Sequence, residues 1–179
     1  MPNWCYNSLE IQYPDKESLD IILTNLMNQE FELDFSIIKP MPKEEEQNWY
    51  EWNISNWGTK WNASGIHFEL KEEEIFLTFE TAWAPPTAWF HALCYRLNDI
   101  SKDITATMRY EEFGMMFCGH VEYSDEHGVL YYDGEVIDID IESEEEVKYD
   151  DTLNRWRSIT GKFVSEHNIG HRAAYCDSY

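Results

Sequence analysis

The sequence predicts an α+β fold: a ferredoxin-like βαββαβ core with an antiparallel sheet, extended by C-terminal β-hairpins and a C-terminal helix. Three observations predict it. Apolar and polar residues alternate in several short stretches, which is typical of strands with one buried face. Two stretches instead carry apolar residues at helical spacing. A hydrophobic content of 43%, with 16% aromatic residues, is enough to fill a core in a chain of 179 residues.

The chain begins with a strand and a helix. Residues 3–13 alternate between apolar and polar side chains, which predicts the first strand, and Pro14 ends it. Asp15 is suited to cap a helix over residues 16–28, because its carboxylate can accept a hydrogen bond from the first turn. The two elements form the first βα pair of the core.

A tryptophan-rich insertion at about residues 31–65 follows the first helix. Within residues 31–35, Phe31, Leu33 and Phe35 alternate with acidic residues, which predicts a short strand. Prolines follow soon after, so this strand cannot continue. A short helix is predicted around residues 44–52, and we expect the insertion to pack against the core.

The second half of the core is a hairpin, a helix and a strand. Alternating segments at residues 66–71 and 75–79 flank an acidic turn and predict two paired strands. Pro85-Pro86 marks the turn into a helix with its own apolar stripe. Residues 104–110 form the last core strand. The resulting order is βαββαβ, which is the ferredoxin-like pattern.

Beyond the core, the sequence predicts further strands and then a helix. Asp133-Gly134 is a two-residue hairpin signal between two of these strands. An acidic linker begins at residue 143, and apolar spacing over residues 152–164 predicts the C-terminal helix. We therefore divide the chain into a ferredoxin-like domain, residues 1–142, and a linker, helix and tail, residues 143–179. The added strands are predicted at residues 116–123, 129–132 and 135–141.

Charge is the most extreme property of the sequence, with 35 acidic against 13 basic residues and a net charge of −22. Fifteen acidic residues and one basic residue, Lys148, lie between residues 111 and 151. Such a field repels nucleic acid and anionic membranes and attracts basic protein surfaces. High charge also serves solubility, which is the simpler explanation. No membrane span or signal peptide is evident, so we expect a cytoplasmic protein with no direct nucleic-acid or membrane partner.

Two segments are distinctive: Asn-Trp-Gly-Thr-Lys-Trp at residues 56–61 and Thr-Ala-Trp-Ala-Pro-Pro at residues 81–86. With these segments the chain resembles a family of bacterial plasmid and phage accessory proteins, the YubB ferredoxin-like (Api92-like) proteins. The resemblance spans about residues 1–135 and implies a ferredoxin-like core. It implies no catalytic activity and no functional residue. Supporting segments are Met-Pro-Asn-Trp-Cys-Tyr-Asn at 1–7, Pro-Met-Pro at 40–42, Glu-Phe-Gly at 112–114 and Phe-Cys-Gly at 117–119.

The acidic segment is the first candidate site. Side chains two residues apart on a strand point the same way at roughly 6.6–6.8 Å, and two base steps of DNA rise about 6.8 Å. A row of carboxylates along such a strand can therefore imitate a row of phosphates. This predicts a non-enzymatic inhibitor of the anti-defence or DNA-mimic type, which binds a basic, nucleic-acid-binding host protein. The predicted partner-binding residues are Asp138, Asp140, Glu142, Glu144, Glu145, Glu146, Asp150 and Asp151.

The alternative site is an aromatic platform for a nucleotide or other small ligand. Trp57, Trp61 and Trp83 would stack on the ligand, and Lys60 would bind its phosphate. The tryptophans, with Trp49 and Trp52 just upstream, could equally stack on a methylated cation. The competing interpretation is that these rings only attach the insertion to the sheet, because tryptophan buries a large area.

Catalytic and metal sites are expected to be absent. Glu111, Glu112 and His120 could act as acids or bases, yet no nucleophile or phosphate-loop motif accompanies them. Cys118 with His120, and His167 with His171, each offer two metal ligands where zinc usually requires four. We expect no metal, no cofactor and no enzymatic activity. The four cysteines are widely spaced and are predicted to be mostly buried free thiols. Oligomeric state does not follow from the sequence.

Overall fold

The computed structural model describes residues 3–115 and 117–131, and beyond them the strand backbone at residues 132–139, 147–150, 155–158, 163–164 and 173–176. The chain forms two compact units. The first comprises Met1–Tyr110 and His120–Tyr131, and the second comprises Glu111–Gly119 and Tyr132–Tyr179. Each unit is described by itself.

The sheet of the first unit has the strand order β2-β3-β1-β4-β5-β6. Its first four positions are those of a ferredoxin-like βαββαβ core, so the predicted fold class is confirmed. β1 and β3 pair antiparallel along nine residues, and β2 pairs antiparallel with β3. The strands are β1 (Trp4–Gln12), β2 (Ser64–Lys71), β3 (Glu74–Ala82), β4 (Thr105–Glu112), β5 (Phe117–Ser124) and β6 (Gly128–Ile139).

The core lies between this sheet and helices α1 (Lys16–Leu26) and α4 (Thr87–Ile100). Alternate residues of β1 and β3 are buried, as their period-two patterns require. The Asp15 carboxylate accepts a 2.8 Å hydrogen bond from the Ser18 amide, which confirms the predicted N-cap. The largest fully buried side chains include Leu9, Ile11, Ile22, Leu26, Leu77, Phe79, Phe90, Leu93 and Leu97.

The insertion between α1 and β2 contains α2 (Phe35–Ile38), a 3₁₀ helix at Lys43–Asn48 and α3 (Trp49–Asn56). The helix predicted around residues 44–52 is therefore confirmed. The strand predicted at residues 31–35 is wrong, since Leu33 forms one bridge with Met27 and α2 begins at Phe35. Side chains cause the difference: Asp34 Oδ1 accepts from the Ser36 amide at 2.8 Å, and Asn62 Oδ1 accepts from the Phe35 amide at 2.9 Å.

The Asp133-Gly134 turn is also wrong. β6 passes through both residues without a break, and its segment Val136–Ile139 pairs antiparallel with β10 (Ala173–Cys176). An Asp-Gly pair permits a tight turn but does not force one, and pairing with β10 supplies backbone hydrogen bonds to the extended chain. The strands predicted at residues 116–123 and 129–132 correspond to β5 and the first part of β6, with a turn at residues 125–127 between them.

The second unit has the strand order β6-β10-β9-β8-β7. β7 (Val147–Asp150) lies where an acidic linker was predicted, and residues 143–146 lie outside the described residues. The C-terminal helix is wrong for the described part of residues 152–164, because β8 (Arg155–Ser158) and β9 (Phe163–Val164) are strands. β8 pairs with β7 along four residues, and such tertiary pairing overrides a helical spacing of apolar residues.

The cysteines divide into two groups. Cys5 and Cys94 are buried thiols, as predicted. Cys118 is disulfide-bonded, so the free thiol predicted there is wrong. Widely spaced cysteines carry no pairing signal, because pairing depends on proximity in the fold. Disulfides are uncommon in reducing compartments, so this bond argues against a cytoplasmic location. The cytoplasmic location therefore stands below only as part of a proposal.

Candidate functional site

Helix α3 of the insertion has an inner face that attaches it to the first unit. Asn53 is buried on this face, and its Nδ2 donates a 2.8 Å hydrogen bond to the Lys60 carbonyl. The Trp57 amide donates the last helical hydrogen bond of α3, to the Asn53 carbonyl at 2.7 Å, and Gly58 follows with a positive φ of 89°. These bonds return residues 57–60 to α3 and place the Lys60 side chain beside Tyr50.

Trp57, one of the predicted ligand-binding residues, is a structural anchor. Only 7% of its surface is exposed, and its Nε1 donates a 3.0 Å hydrogen bond to the Lys39 carbonyl. Its ring makes edge contacts with Phe35 and Trp52, with centroids 5.9 and 5.7 Å apart. This ring therefore holds the insertion on the core and offers no open face to a ligand.

A row of exposed rings lies on the outer side of the insertion. Trp49 and Tyr50 form an edge contact with centroids 5.8 Å apart. Lys60 Nζ lies 5.8 Å from the Tyr50 centroid and 4.5 Å from the Trp61 centroid. Trp49 and Trp61 are each 40% exposed, and Tyr50 is 46% exposed. We call Trp49, Tyr50, Lys60 and Trp61 the aromatic ridge.

The ridge continues to the end of the sheet through Trp4, whose ring centroid is 6.5 Å from that of Trp61. The predicted ligand-binding residues included Lys60 and Trp61, and Trp49 was among the tryptophans considered for stacking, but Tyr50 was missed. Helical spacing does not signal its exposure: Tyr50 precedes the buried Asn53 by three residues, a spacing that places two side chains near each other on a helix, yet 46% of Tyr50 is exposed.

Trp83, the remaining predicted platform residue, is exposed but separate. Its φ of 73° lies in the left-handed region, and 42% of its surface is exposed. Its amide donates a 3.0 Å hydrogen bond to the Asn3 carbonyl, and the Thr81 hydroxyl donates to the Ala84 carbonyl at 2.8 Å. Among the described side chains, Trp83 has no ring contact with the aromatic ridge.

Of the predicted partner-binding acidic residues, the structure describes the backbone of Asp138 and Asp150. Asp138 lies in β6 opposite Ala174 of β10, so its strand is paired on that side and is not a free edge there. Asp150 lies in β7, which ends the strand order of the second unit, opposite Arg155 of β8. The other predicted partner-binding residues lie outside the described residues: Asp140, Glu142, Glu144, Glu145, Glu146 and Asp151.

The candidate catalytic residues have structural surroundings. Glu112 is 2% exposed, and its carboxylate accepts hydrogen bonds from the Gly114 and Met115 amides. It therefore caps the turn that follows β4. His120 Nε2 lies 3.4 Å from the Glu122 carboxylate on β5. Glu111 is half-buried at the end of β4.

A cleft of about 240 Å³ lies between α4 and strands β5 and β6. Burial raises the pKa of the Cys94 thiol beside it, so this thiol stays protonated and is a poor nucleophile. Burial also raises the pKa of Tyr123, whose hydroxyl donates a 2.9 Å hydrogen bond to Asn98. Neither the Cys94 thiol nor the Tyr123 hydroxyl is therefore activated by its surroundings.

The described part of the chain offers neither a metal-binding cluster nor a membrane-spanning helix. No group of three or more His, Cys, Asp or Glu side chains there is arranged to hold a metal ion. None of its helices combines the length and the apolar character that crossing a bilayer requires.

Comparison with known proteins identifies the family. Residues 56–154, more than half of the chain, match the family described as "Ferredoxin-like domain in Api92-like protein". The chain belongs to this Api92-like family. The match covers the aromatic ridge residues Lys60 and Trp61 and begins at Asn56, the last residue of α3. The predicted resemblance is therefore confirmed.

One solved structure is similar to this Api92-like chain, the crystal structure of protein api92 from Yersinia pseudotuberculosis. The sequences are 16% identical, the TM-score is 0.46, and the similarity covers 55% of this chain. The chain covers 39% of the length of that protein. No curated protein matches the chain.

Proposed function

We propose that the protein is a non-enzymatic, strongly acidic accessory protein of a phage or plasmid. It binds a basic, nucleic-acid-binding protein of the host cytoplasm and inhibits it, as an anti-defence protein or DNA mimic does. The observation that carries this proposal is the net charge of −22 together with its concentration between residues 111 and 151. A dense acidic surface attracts a basic cleft from a distance and then occupies it in place of nucleic acid.

The charge is not cancelled within the protein. Residues 1–131 contain 23 acidic and eight basic residues, so at least 15 carboxylates have no lysine or arginine of their own. The described ion pairs include Lys71 with Glu74, at 3.2 Å, and Lys102 with Asp125, at 2.7 Å. Ion pairs at the protein surface contribute little to stability. The excess carboxylates produce a negative electrostatic potential around the protein. Binding of a basic partner would neutralise part of this charge.

The test is an affinity capture from host lysate at low and high salt, repeated with Asp138, Asp140 and Glu142 changed together to lysine. We expect one basic nucleic-acid-binding protein that is released by salt, is displaced by DNA, and is lost with the triple variant. The matched control changes Glu17, Asp20 and Glu30 to lysine. These residues are exposed and give the same charge change elsewhere. Capture that survives both high salt and the triple variant contradicts the proposal.

A second candidate function is binding or sequestering a nucleotide-like ligand. The observation that favours it is Lys60 lying 4.5 Å from the centroid of the exposed Trp61 ring, because this pair offers a stacking face and a charge for phosphate. Nucleotides should then quench tryptophan fluorescence, and Trp61→Ala should abolish the quenching while the fold is retained. Trp57→Ala is not a suitable test, since Trp57 is a structural anchor.

A further inference from the structure

We propose that the aromatic ridge binds arginine side chains of a basic protein segment. The inference rests on the proposed function, because it assigns a second contact surface to the same basic partner. It differs in the groups involved: the proposed function depends on carboxylates after residue 111, whereas the ridge lies entirely in the first unit.

The first argument is that α3 exposes large apolar side chains that its attachment does not use. Asn53 is buried and Trp52 is half-buried. Trp49, Tyr50 and Ile54 remain exposed, the last at 38%. Clustered exposed apolar residues of this kind mark interaction sites, and Trp and Tyr are the residues most enriched among binding hot spots.

The second argument is charge complementarity. Glu44 and Glu46 are exposed on the 3₁₀ helix that leads into α3, and Glu51 is exposed on α3 itself. An arginine guanidinium can stack on a ring while it hydrogen-bonds to a carboxylate, whereas an anionic ligand would meet repulsion from these groups. The rings and the carboxylates therefore favour the same class of partner.

The third argument is that the ridge already holds a cation. Lys60 Nζ lies over the Trp61 ring and within 5.8 Å of the Tyr50 centroid. A lysine is a weaker partner for an aromatic face than a guanidinium, because its ammonium is more strongly hydrated. Lys60 thus occupies the ridge in the unbound protein and competes with an incoming arginine.

The test uses fluorescently labelled decaarginine and decalysine peptides, with dissociation constants measured by polarisation at moderate salt. Wild-type protein should prefer decaarginine. Trp49→Ala with Tyr50→Ala should weaken decaarginine binding by about tenfold, since each exposed cation–π contact is worth about 0.5–1 kcal/mol, and should remove most of the preference over decalysine. The matched control is Tyr95→Ala, because Tyr95 is 66% exposed on α4. Equal effects of the two variants would overturn the inference.

Substitution of Lys60 tests whether this lysine competes with arginine for the aromatic ridge. Lys60→Gln removes the competing cation, so decaarginine should bind several-fold more tightly than it does to Lys16→Gln, which changes the net charge equally at an exposed site on α1. Weaker binding than to Lys16→Gln would overturn the inference. Nucleotide binding that is lost in Lys60→Gln would also overturn it, by assigning the ridge to an anionic ligand.

The two proposals fail in different ways. If the triple lysine variant at Asp138, Asp140 and Glu142 loses the captured host partner while the ridge variants keep full affinity for it and for decaarginine, the proposed function stands and the ridge inference fails. If the wild-type protein captures no basic partner yet prefers decaarginine through the ridge, the proposed function fails. Circular dichroism and thermal unfolding of each variant establish that it is folded.

Discussion

Gly58 lies directly against the backbone of Pro85: a Cβ at Gly58 would be 3.0 Å from the Pro85 carbonyl oxygen. The same Cβ would be 3.1 Å from the Thr87 amide nitrogen, and the φ of Gly58 is +89°. Both neighbouring atoms belong to the backbone at the start of α4, so they cannot move aside cheaply. This contact explains why the loop after α3 requires glycine.

Gly58→Ala should lower the free energy of unfolding by about 2–4 kcal/mol, because left-handed strain and steric overlap add. Urea denaturation measures the change. The control is Gly128→Ala, since Gly128 also has a positive φ of 68° but its Cβ would have nothing within 4 Å. It should cost about 1 kcal/mol. Equal losses for the two variants would show that the contact with Pro85 is unimportant.

Trp83 allows backbone strain to be separated from the loss of its ring. Its φ of 73° is unfavourable for any residue with a Cβ. Trp83→Gly and Trp83→Ala remove the same indole, and glycine alone accepts the conformation without strain. We expect the glycine variant to be more stable than the alanine variant by about 1 kcal/mol. Thermal unfolding of the pair measures this, and the opposite order would mean that the turn relaxes when the indole is removed.

Asn7 links the neighbouring strands β1 and β3. It is buried, and its Nδ2 lies 2.9 Å from the Cys5 carbonyl, 2.9 Å from the Thr81 hydroxyl and 3.3 Å from the Phe79 carbonyl. Asn7→Ala should destabilise the protein by about 2 kcal/mol, because buried acceptors lose their donor. Asn25→Ala is the control, since Asn25 donates an exposed hydrogen bond on α1. Its effect in the same denaturation experiment should be within about 0.5 kcal/mol of zero.

Asp34 should contribute to acid sensitivity. Partial burial alone would raise the pKa of its carboxyl, but hydrogen bonds from Ser36 and Asn62 outweigh burial and hold the pKa below its usual 3.8. The unfolded chain therefore binds the proton more readily than the folded one. The stabilisation is complete above the unfolded pKa and is lost as the pH falls through the folded pKa.

The test for Asp34 is the variant Asp34→Asn, which can still accept the Ser36 hydrogen bond but does not titrate. Between neutral pH and pH values below about 4, its melting temperature should fall less steeply than that of the wild type. Asp103→Asn, at an exposed position, should follow the wild-type curve. A wild-type slope in Asp34→Asn would contradict the assignment.

The sequence predicted those elements whose signals are local. Alternation in β1 and β3 identified their buried faces, and Asp15 marked the start of α1. The elements that the sequence predicted wrongly depend on residues distant in the chain. The segment at Phe35 became helical with help from Asn62, a residue 27 positions away. Likewise, the strand at Arg155–Ser158 depends on pairing with β7.

For the candidate site, the sequence indicated the region but not which of its side chains are exposed. Composition indicated an aromatic surface near residues 56–61, but Trp57 and Trp61 lie in one short segment and have opposite environments. Trp57 is anchored by a hydrogen bond to Lys39, whereas Trp61 remains 40% exposed beside Lys60. No periodicity distinguishes them, because the loop between them is irregular and Gly58 sets its path.

Helix α3 separates what holds it from what it displays. The side chains of Asn53 and Trp57 donate the hydrogen bonds that attach it, and neither Trp49 nor Tyr50 takes part in those bonds. The exposed side chains of α3 can therefore be substituted without loss of these attaching bonds. Substitutions at two or three such surface positions could give a related chain a new binding target while its fold is retained.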